Sequence, residues 1–490
     1  CNVSRGLLLR MLFRAAAVRL PFRRRGYATA VEVWREVNSL AAQPGMINMG
    51  QGFPDFAGSL TARHAAAEAL LVGSAAANQY SAPAGLLELR EEVSRLYARL
   101  YPGDAYDPAS EVVICTSGQE SLNAALRACV SEQVSRGGRD GVIVFEPYFP
   151  FTQGALDNAP AVMQPVRTHA PGFAIDAAAL RAAVTPRTGT VLLNSPHNPT
   201  GHVATEAELA AVAEVCIEHD LLAVSDDVYE HAVFGEGCRH RRLCDVPGMR
   251  ERTITVSSAG KLFSLTGWRV AWALAPARLA TAVASAHTNL TYSAPTPLQA
   301  GIAAALREED GSFGGVAQLF GANFELLATA PREHQPLFTP LFSLCIARLA
   351  GGARKKGKPL SAIAIVLQAA PGDDGLPPPG PPRHTSAALI NLFCPQALRE
   401  HRGLTVCDAQ GGYFLVADAG VPDIDFVRSL AAECGVVCTP MSVFYAEQGQ
   451  SEPCTLVRFT ICKSREHIQR ACAALAGRRG RRERVAGTNI

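Results

Sequence analysis

The chain has 490 residues, 48% of them hydrophobic and 18% charged, which is enough to bury a sizeable core and excludes a wholly disordered polypeptide. Its 46 basic and 44 acidic side chains leave a net charge of +2, so there is no global basic field to hold nucleic acid or an anionic membrane. No apolar run nears the roughly 18 residues that span a bilayer, and the 14 cysteines are scattered without a CxxC pair, as small buried hydrophobes of a reducing compartment.

In chain order, the first 31 residues hold no Asp or Glu but carry Arg5, Arg10, Arg14, Arg19, Arg23, Arg24 and Arg25 among Leu, Phe, Val and Ala. That composition predicts a transit peptide over residues 1–30, processed near Arg25–Ala28. Arginine outweighs serine, which favours the mitochondrion over a plastid. The alternatives are a solvated basic arm on a cytoplasmic chain, or untranslated sequence read in frame. From about residue 107 to 276, short β-branched runs alternate with helical stretches. Glu111–Cys115, Gly141–Glu146, Thr190–Asn194, Leu221–Asp226, Thr253–Ser257 and Val270–Leu274 predict strands buried on both faces. Thr205 to His219 predicts a helix: Thr205 and Glu208 form a capping box, followed by Leu209, Val212, Ala213 and Cys216 at helical spacing. The alternation predicts an α/β fold, a mostly parallel sheet covered by helices, with chemistry where the carboxyl ends of strands meet loops. From Pro331 to Pro395 the pattern breaks into the basic run Ala353–Lys358 and the proline-rich tract Pro371–Pro382. So long a structureless connection is foreign to a compact domain, and it reads as a disordered insertion or a gene-modelling artefact such as a retained intron. Ala397 to Thr405 then resumes helix-then-strand sequence, and residues 477–490 read as a solvated basic tail.

The polar motifs follow the predicted strands. Lys261 comes just after the strand ending at Ser257, where poor solvation depresses an amine's pKa and makes it a nucleophile toward carbonyls. Asp226 ends a second strand, and Asn198 lies in the Asn-Pro-Thr-Gly run after a third. A lysine to capture an aldehyde, an acid to keep a pyridinium nitrogen protonated, and donors for a phenolate oxygen (Asn198, Tyr229) are what a pyridoxal phosphate enzyme requires. Thr116-Ser117-Gly118-Gln119-Glu120 opens a helix whose first amides, on Gly118 and Gln119, would face a phosphate. Ser258 and Arg269 would add a hydroxyl and a fixed charge, and Phe149 could stack on the ring. The 12 histidines offer no i, i+4 pair with an acidic third ligand, so no metal is expected.

Taken together these residues resemble the fold-type I pyridoxal phosphate aminotransferases, class I/II. The narrower likeness is to the branch of kynurenine–oxoglutarate transaminases, glutamine transaminase K/cysteine-S-conjugate β-lyases and methionine aminotransferases. It is carried by Ile47-Asn48-Met49-Gly50-Gln51-Gly52-Phe53-Pro54-Asp55-Phe56, Asn78-Gln79-Tyr80, Ser225-Asp226-Asp227-Val228-Tyr229 and Thr266-Gly267-Trp268-Arg269, and by Gly412-Tyr413-Phe414, Pro440–Tyr445 and Val457-Arg458-Phe459. The resemblance implies a three-layer α/β/α large domain (61–305) and a smaller α+β domain formed by the arm 31–60 and residues 306–476, the latter interrupted at 331–395. It implies Lys261 as the Schiff-base lysine, Asp226 on the ring nitrogen, and Asn198 and Tyr229 on the phenolic oxygen. Gly118, Gln119, Ser258 and Arg269 would hold the phosphate, with Tyr80 reaching in from a second subunit of a homodimer. Arg458 would grip the substrate α-carboxylate beside Gly52, and Trp34 and Tyr292 would be pocket aromatics. The expected reaction is ping-pong transfer of an amino group from an aromatic, kynurenine, glutamine or methionine type of donor to a 2-oxo acid. The alternatives are β-elimination from cysteine conjugates, or a non-catalytic protein of the same fold.

Overall fold

The computed structural model describes residues 25–101, 105–235, 237–309, 313–328, 398, 403–446 and 453–476. Residues 1–24 of the leader expected over 1–30, the insertion at 331–395, residues 397–402 other than Leu398, and the tail at 477–490 lie outside these described residues. A helix at Arg25–Ala41 runs through the anticipated processing point.

The strands, in chain order, are β1 (Ile47–Asn48), β2 (Val112–Cys115), β3 (Gly141–Glu146), β4 (Val162–Arg167), β5 (Thr188–Asn194), β6 (Leu222–Asp226), β7 (Thr253–Ser258), β8 (Ala271–Leu274), β9 (Thr405–Val406), β10 (Phe414–Asp418), β11 (Val436–Val437), β12 (Thr439–Pro440) and β13 (Leu456–Thr460). Among the described residues, seven of them form one sheet in the order β2-β8-β7-β6-β5-β3-β4. Pairing within it is parallel except at β8, which runs antiparallel to both β2 and β7. The six strands expected from β-branched runs are all present and almost entirely buried. Their alternating side chains feed different helical layers. Val113 and Cys115 pack with helices Gly118–Gly137 and Ala277–Leu290, whereas Val112 and Ile114 pack with Leu87–Leu100 and Thr296–Glu308. Ile143 and Val191 pack with helix Glu206–Glu218, whose Thr205–Glu208 capping box is formed as expected. This is the three-layer α/β/α arrangement.

Two features were not legible as strands or directions. β4 is an edge strand, half-exposed and containing Pro165, whose missing N–H an edge tolerates but which blurs the signal. Val270–Leu274 has the same buried composition as the parallel strands of the sheet, and composition carries no direction.

A second sheet, β12-β13-β10-β9, is antiparallel and packs with helices Val316–Ala328, Asp423–Cys434 and Arg465–Leu475. The amino-terminal segment joins this unit: β1 pairs with β11, Met49 N–H donates to Val437 O at 2.8 Å, and Thr460 N–H donates to Met49 O at 2.7 Å. The carboxyl ends of β2, β3, β5, β6 and β7 therefore open toward β10 and β13, and the cavity between them is the candidate site.

Candidate active site

Lys261 sits in the one-turn helix Ala259–Leu262, started by Ser258, whose Oγ accepts the Gly260 N–H at 3.2 Å. Its Nζ donates a long 3.5 Å contact to the Gly52 carbonyl and lies 5.0 Å and 5.4 Å from the Tyr413 and Tyr229 ring centres. The Tyr413 hydroxyl donates to the Lys261 main-chain carbonyl at 2.8 Å and so fixes the turn. Removal from water brings the Lys261 amine down to about 8; Arg269 and Arg458 push the same way, against Cys462 and Asp226.

Asp226 ends β6. Burial, followed by the like charge of Asp227, pushes its carboxyl up to about 7. Val228 N–H gives that carboxylate only a 3.5 Å contact. Asn194 Nδ2 donates to the Asp226 carbonyl at 2.7 Å, and Asn194 Oδ1 accepts the Asn198 N–H at 2.7 Å, tying the ends of β5 and β6 together. Arg458, 2% exposed on β13, donates through Nη1 to Asn198 Oδ1 and through Nη2 to the Gly50 carbonyl, both at 2.9 Å. Because Asn198 Oδ1 accepts from Arg458, its Nδ2 remains as the donor. The guanidinium lies 3.8 Å from the Phe414 ring centre and 5.6 Å from that of Trp34, and its buried Nε has no partner among the described residues. Burial draws its pKa down to about 9, and it remains a cation at neutral pH. Burial, then the neighbouring Asp226, raises the Tyr229 hydroxyl and keeps it protonated.

The helix Gly118–Gly137 points its start at the same space. Ser117 N–H is used by Cys115 O and Ser117 Oγ accepts Glu120 N–H, leaving Gly118 and Gln119 as the amides at the wall. The Glu120 charge is turned away: Oε2 accepts Thr116 N–H at 2.9 Å and Oε1 lies 3.0 Å from His287 Nδ1. Cys115, Glu120 and His287 bring ligand-type atoms within 4.8 Å of one another, a cluster no local spacing announces.

The cavity enclosed by these groups measures about 270 Å³. Trp34, Gly52, Gly118, Gln119, Phe149, Asn198, Asp226, Tyr229, Ser258, Lys261, Arg269 and Arg458 all line it. Tyr80 and Tyr292 do not. They are 83% and 47% exposed and pack edge-to-face on each other, ring centres 5.2 Å apart. Tyr292 is thus not a wall of the cavity in its own chain. Sequence reasoning gave no role to Gln51, Phe151, Val228 or Phe414, which also line the cavity, or to Tyr413; the Gly412-Tyr413-Phe414 motif was the available signal.

These residues fit pyridoxal phosphate. A weakly supported carboxylate is short of a cationic N–H donor, which a pyridinium supplies. The free helix amides with Ser258 and Arg269 suit a dianion, and Lys261 offers a largely desolvated amine for an aldehyde. Fold and site together define a fold-type I pyridoxal phosphate enzyme.

Comparison with known proteins narrows this. The profile of aminotransferase class I and II matches residues 44–327 and 393–475, and the chain belongs to that family. Its members depend on pyridoxal phosphate. The probable N-succinyldiaminopimelate aminotransferase of Mycobacterium tuberculosis is 33% identical, over 93% of this chain and 97% of that protein. The kynurenine–oxoglutarate transaminase of Dictyostelium discoideum is 30% identical over 90% and 92%. Among solved structures, the methionine aminotransferase of Escherichia coli superposes with a TM-score of 0.71 at 26% identity, covering 91% of this chain and 97% of that one.

Proposed function

We propose that the chain transfers the α-amino group of an amino acid with a flat aromatic or long, uncharged side chain (kynurenine, phenylalanine, methionine or glutamine type) to a 2-oxo acid, in ping-pong fashion. The observation that carries this reading is the convergence of Lys261, Asp226 and Arg458 on one cavity walled by Trp34, Phe149, Phe151 and Phe414. When bound, pyridoxal phosphate supplies an aldehyde for covalent capture of the amino group and an electron-poor ring that stabilises charge at Cα. Lys261 Nζ, poised near neutrality, would carry the proton from the donor's Cα to the carbon of the cofactor's former aldehyde, and would carry it the opposite way for the 2-oxo acid. Asp226 holds the ring nitrogen cationic, while Asn198 Nδ2 and the Tyr229 hydroxyl donate to the ring oxygen. Gly118, Gln119, Ser258 and Arg269 hold the phosphate. Arg458 presents unused N–H groups to the α-carboxylate, with Gly52 beside it.

A second reading, an acidic acylated diamino acid, is favoured by the mycobacterial relative. Among the described lining residues the cations are Lys261, Arg269 and Arg458, all with roles above, so a distal carboxylate would find no further cation there. β-Elimination from cysteine conjugates uses the same groups. A donor panel assayed with several oxo acids, with pyruvate and ammonia release read in parallel, separates the three. Exposed Leu71, Val72, Tyr80 and Tyr292 support a homodimer in which the partner's aromatics approach the cavity, tested by sedimentation. The acid-free, arginine-rich residues 1–31 support mitochondrial delivery, tested by fusing them to a fluorescent protein.

A further inference from the structure

The wall facing Lys261 includes the short run Gln51–Gly52, which is held from both ends by the small sheet. On the amino-terminal side, the Gly50 carbonyl accepts from Arg458 Nη2 and from Thr439 Oγ1, both at 2.9 Å. On the carboxyl-terminal side, Lys463 Nζ donates to the Phe53 carbonyl at 2.6 Å and lies 3.7 Å from the Phe53 ring centre. Two residues further, the Asp55 carboxylate accepts from Ser464 N–H at 2.5 Å and from Ser464 Oγ at 3.1 Å, with His467 Nδ1 3.1 Å away. Lys463 is itself pinned, since its carbonyl accepts Asn323 Nδ2 at 2.8 Å. It is 1% exposed, and a lysine so deeply buried is uncommon unless its charge is held by a fixed acceptor. Lys463 lies five residues after Arg458, across the end of β13, so one strand and its exit carry both the guanidinium and this second anchor. Slack toward the sheet is absent, because a Cβ at Gly52 would collide with the Phe414 ring that stacks on Arg458.

We propose that Lys463 is a positioning residue for substrate-carboxylate recognition: by holding the Phe53 carbonyl it keeps the Gly52 backbone in register with Arg458 and Lys261. The inference rests on the carboxylate-gripping role given above to Arg458. Loss of the ammonium loosens a wall that the bound carboxylate must meet and that Lys261 Nζ touches at the Gly52 carbonyl, while Asp226 and the phosphate turn stand on other elements.

The test uses the cofactor-loaded enzyme with Lys463→Met and Lys463→Arg. Two quantities are read: donor KM and kcat, and the dissociation constant of an unreactive des-amino carboxylate, 3-phenylpropionate, followed through cofactor absorbance. Lys463→Met should raise both KM and that dissociation constant about tenfold, the scale of one lost charge-assisted hydrogen bond, with kcat within about twofold and cofactor retention unchanged. Lys463→Arg, which still donates, should recover most of the loss. A Met variant with an unaltered dissociation constant overturns the proposal. So does a parallel fall of kcat, cofactor retention and thermal stability in both variants, which marks a purely structural lysine. Should Lys463→Met fail to fold, Asp55→Asn weakens the same anchor, and an unchanged dissociation constant there is equally fatal. Wild-type enzyme that binds 3-phenylpropionate but turns over no donor defeats the transaminase reading, while the effect of Lys463→Met on binding still decides this one.

Discussion

The Lys261 amine offers the sharpest quantitative test, because its reactivity follows from where the fold places it. Removal from water, aided by Arg269 and Arg458, lowers its pKa to about 8. At pH 7 such an amine is neutral in roughly one molecule in eleven, against about one in 3,000 for an ordinary lysine near 10.5, a gain of about 300-fold in the nucleophilic form. The perturbation is a pH titration of cofactor-free protein between pH 6 and 10, with pyridoxal phosphate capture followed by stopped-flow absorbance and Lys261→Ala subtracted as background. The sign is fixed: only the neutral amine attacks, so the rate should climb nearly tenfold per pH unit below about 8 and level off above it. Arg269→Gln removes a cation that disfavours the ammonium and should move the plateau to higher pH. Asp226→Asn removes an anion that favours the ammonium and should move it to lower pH. A rate that keeps rising through pH 10 would refute the desolvation argument and return Lys261 to the ordinary surface class.

Other outcomes can be checked independently. Asp226→Asn keeps the shape but loses the charge, and should lower turnover at least 100-fold while cofactor still binds, measured by single-turnover absorbance. Arg458→Lys cannot reach both Asn198 Oδ1 and the Gly50 carbonyl while facing a carboxylate, so donor kcat/KM should fall about 100-fold or more, the scale of two charge-assisted bonds. Gly52→Ala drives the Phe414 ring toward Arg458 and should raise donor KM while the absorbance of bound cofactor persists. Away from the site, Thr205→Ala removes the capping box of helix Glu206–Glu218 and should cost about 1 kcal/mol in urea melts, with kinetic constants unchanged.

The local levels of this structure were open to sequence reasoning. The buried β-branched runs fixed six strands of the large sheet, and Thr205 with Glu208 fixed one helix start, because burial on two faces and capping depend on neighbours in the chain. Lys261, Asp226, Asn198 and Gly118, which line one cavity, could be singled out because each stands at or just beyond a strand end, where the rule for open α/β sheets places chemistry. The edge strand β4, the reversed direction of β8 and the exposure of Tyr292 were not legible, since each is settled by which surface lies opposite.

What the sequence determined alone was the inventory: a lysine and a carboxylate at strand ends, a glycine turn that opens a helix, and a guanidinium, on an α/β frame with aromatic company. Tertiary structure decided their electrical state and their company. Asn198 is oriented by an arginine 260 residues away, the Gly50 carbonyl is engaged by a group 408 residues away, and the Phe53 carbonyl by a lysine 410 residues away. No periodicity encodes such pairings, because only the packing of two sheets brings these groups to hydrogen-bond distance and removes the water that would otherwise level their pKa values.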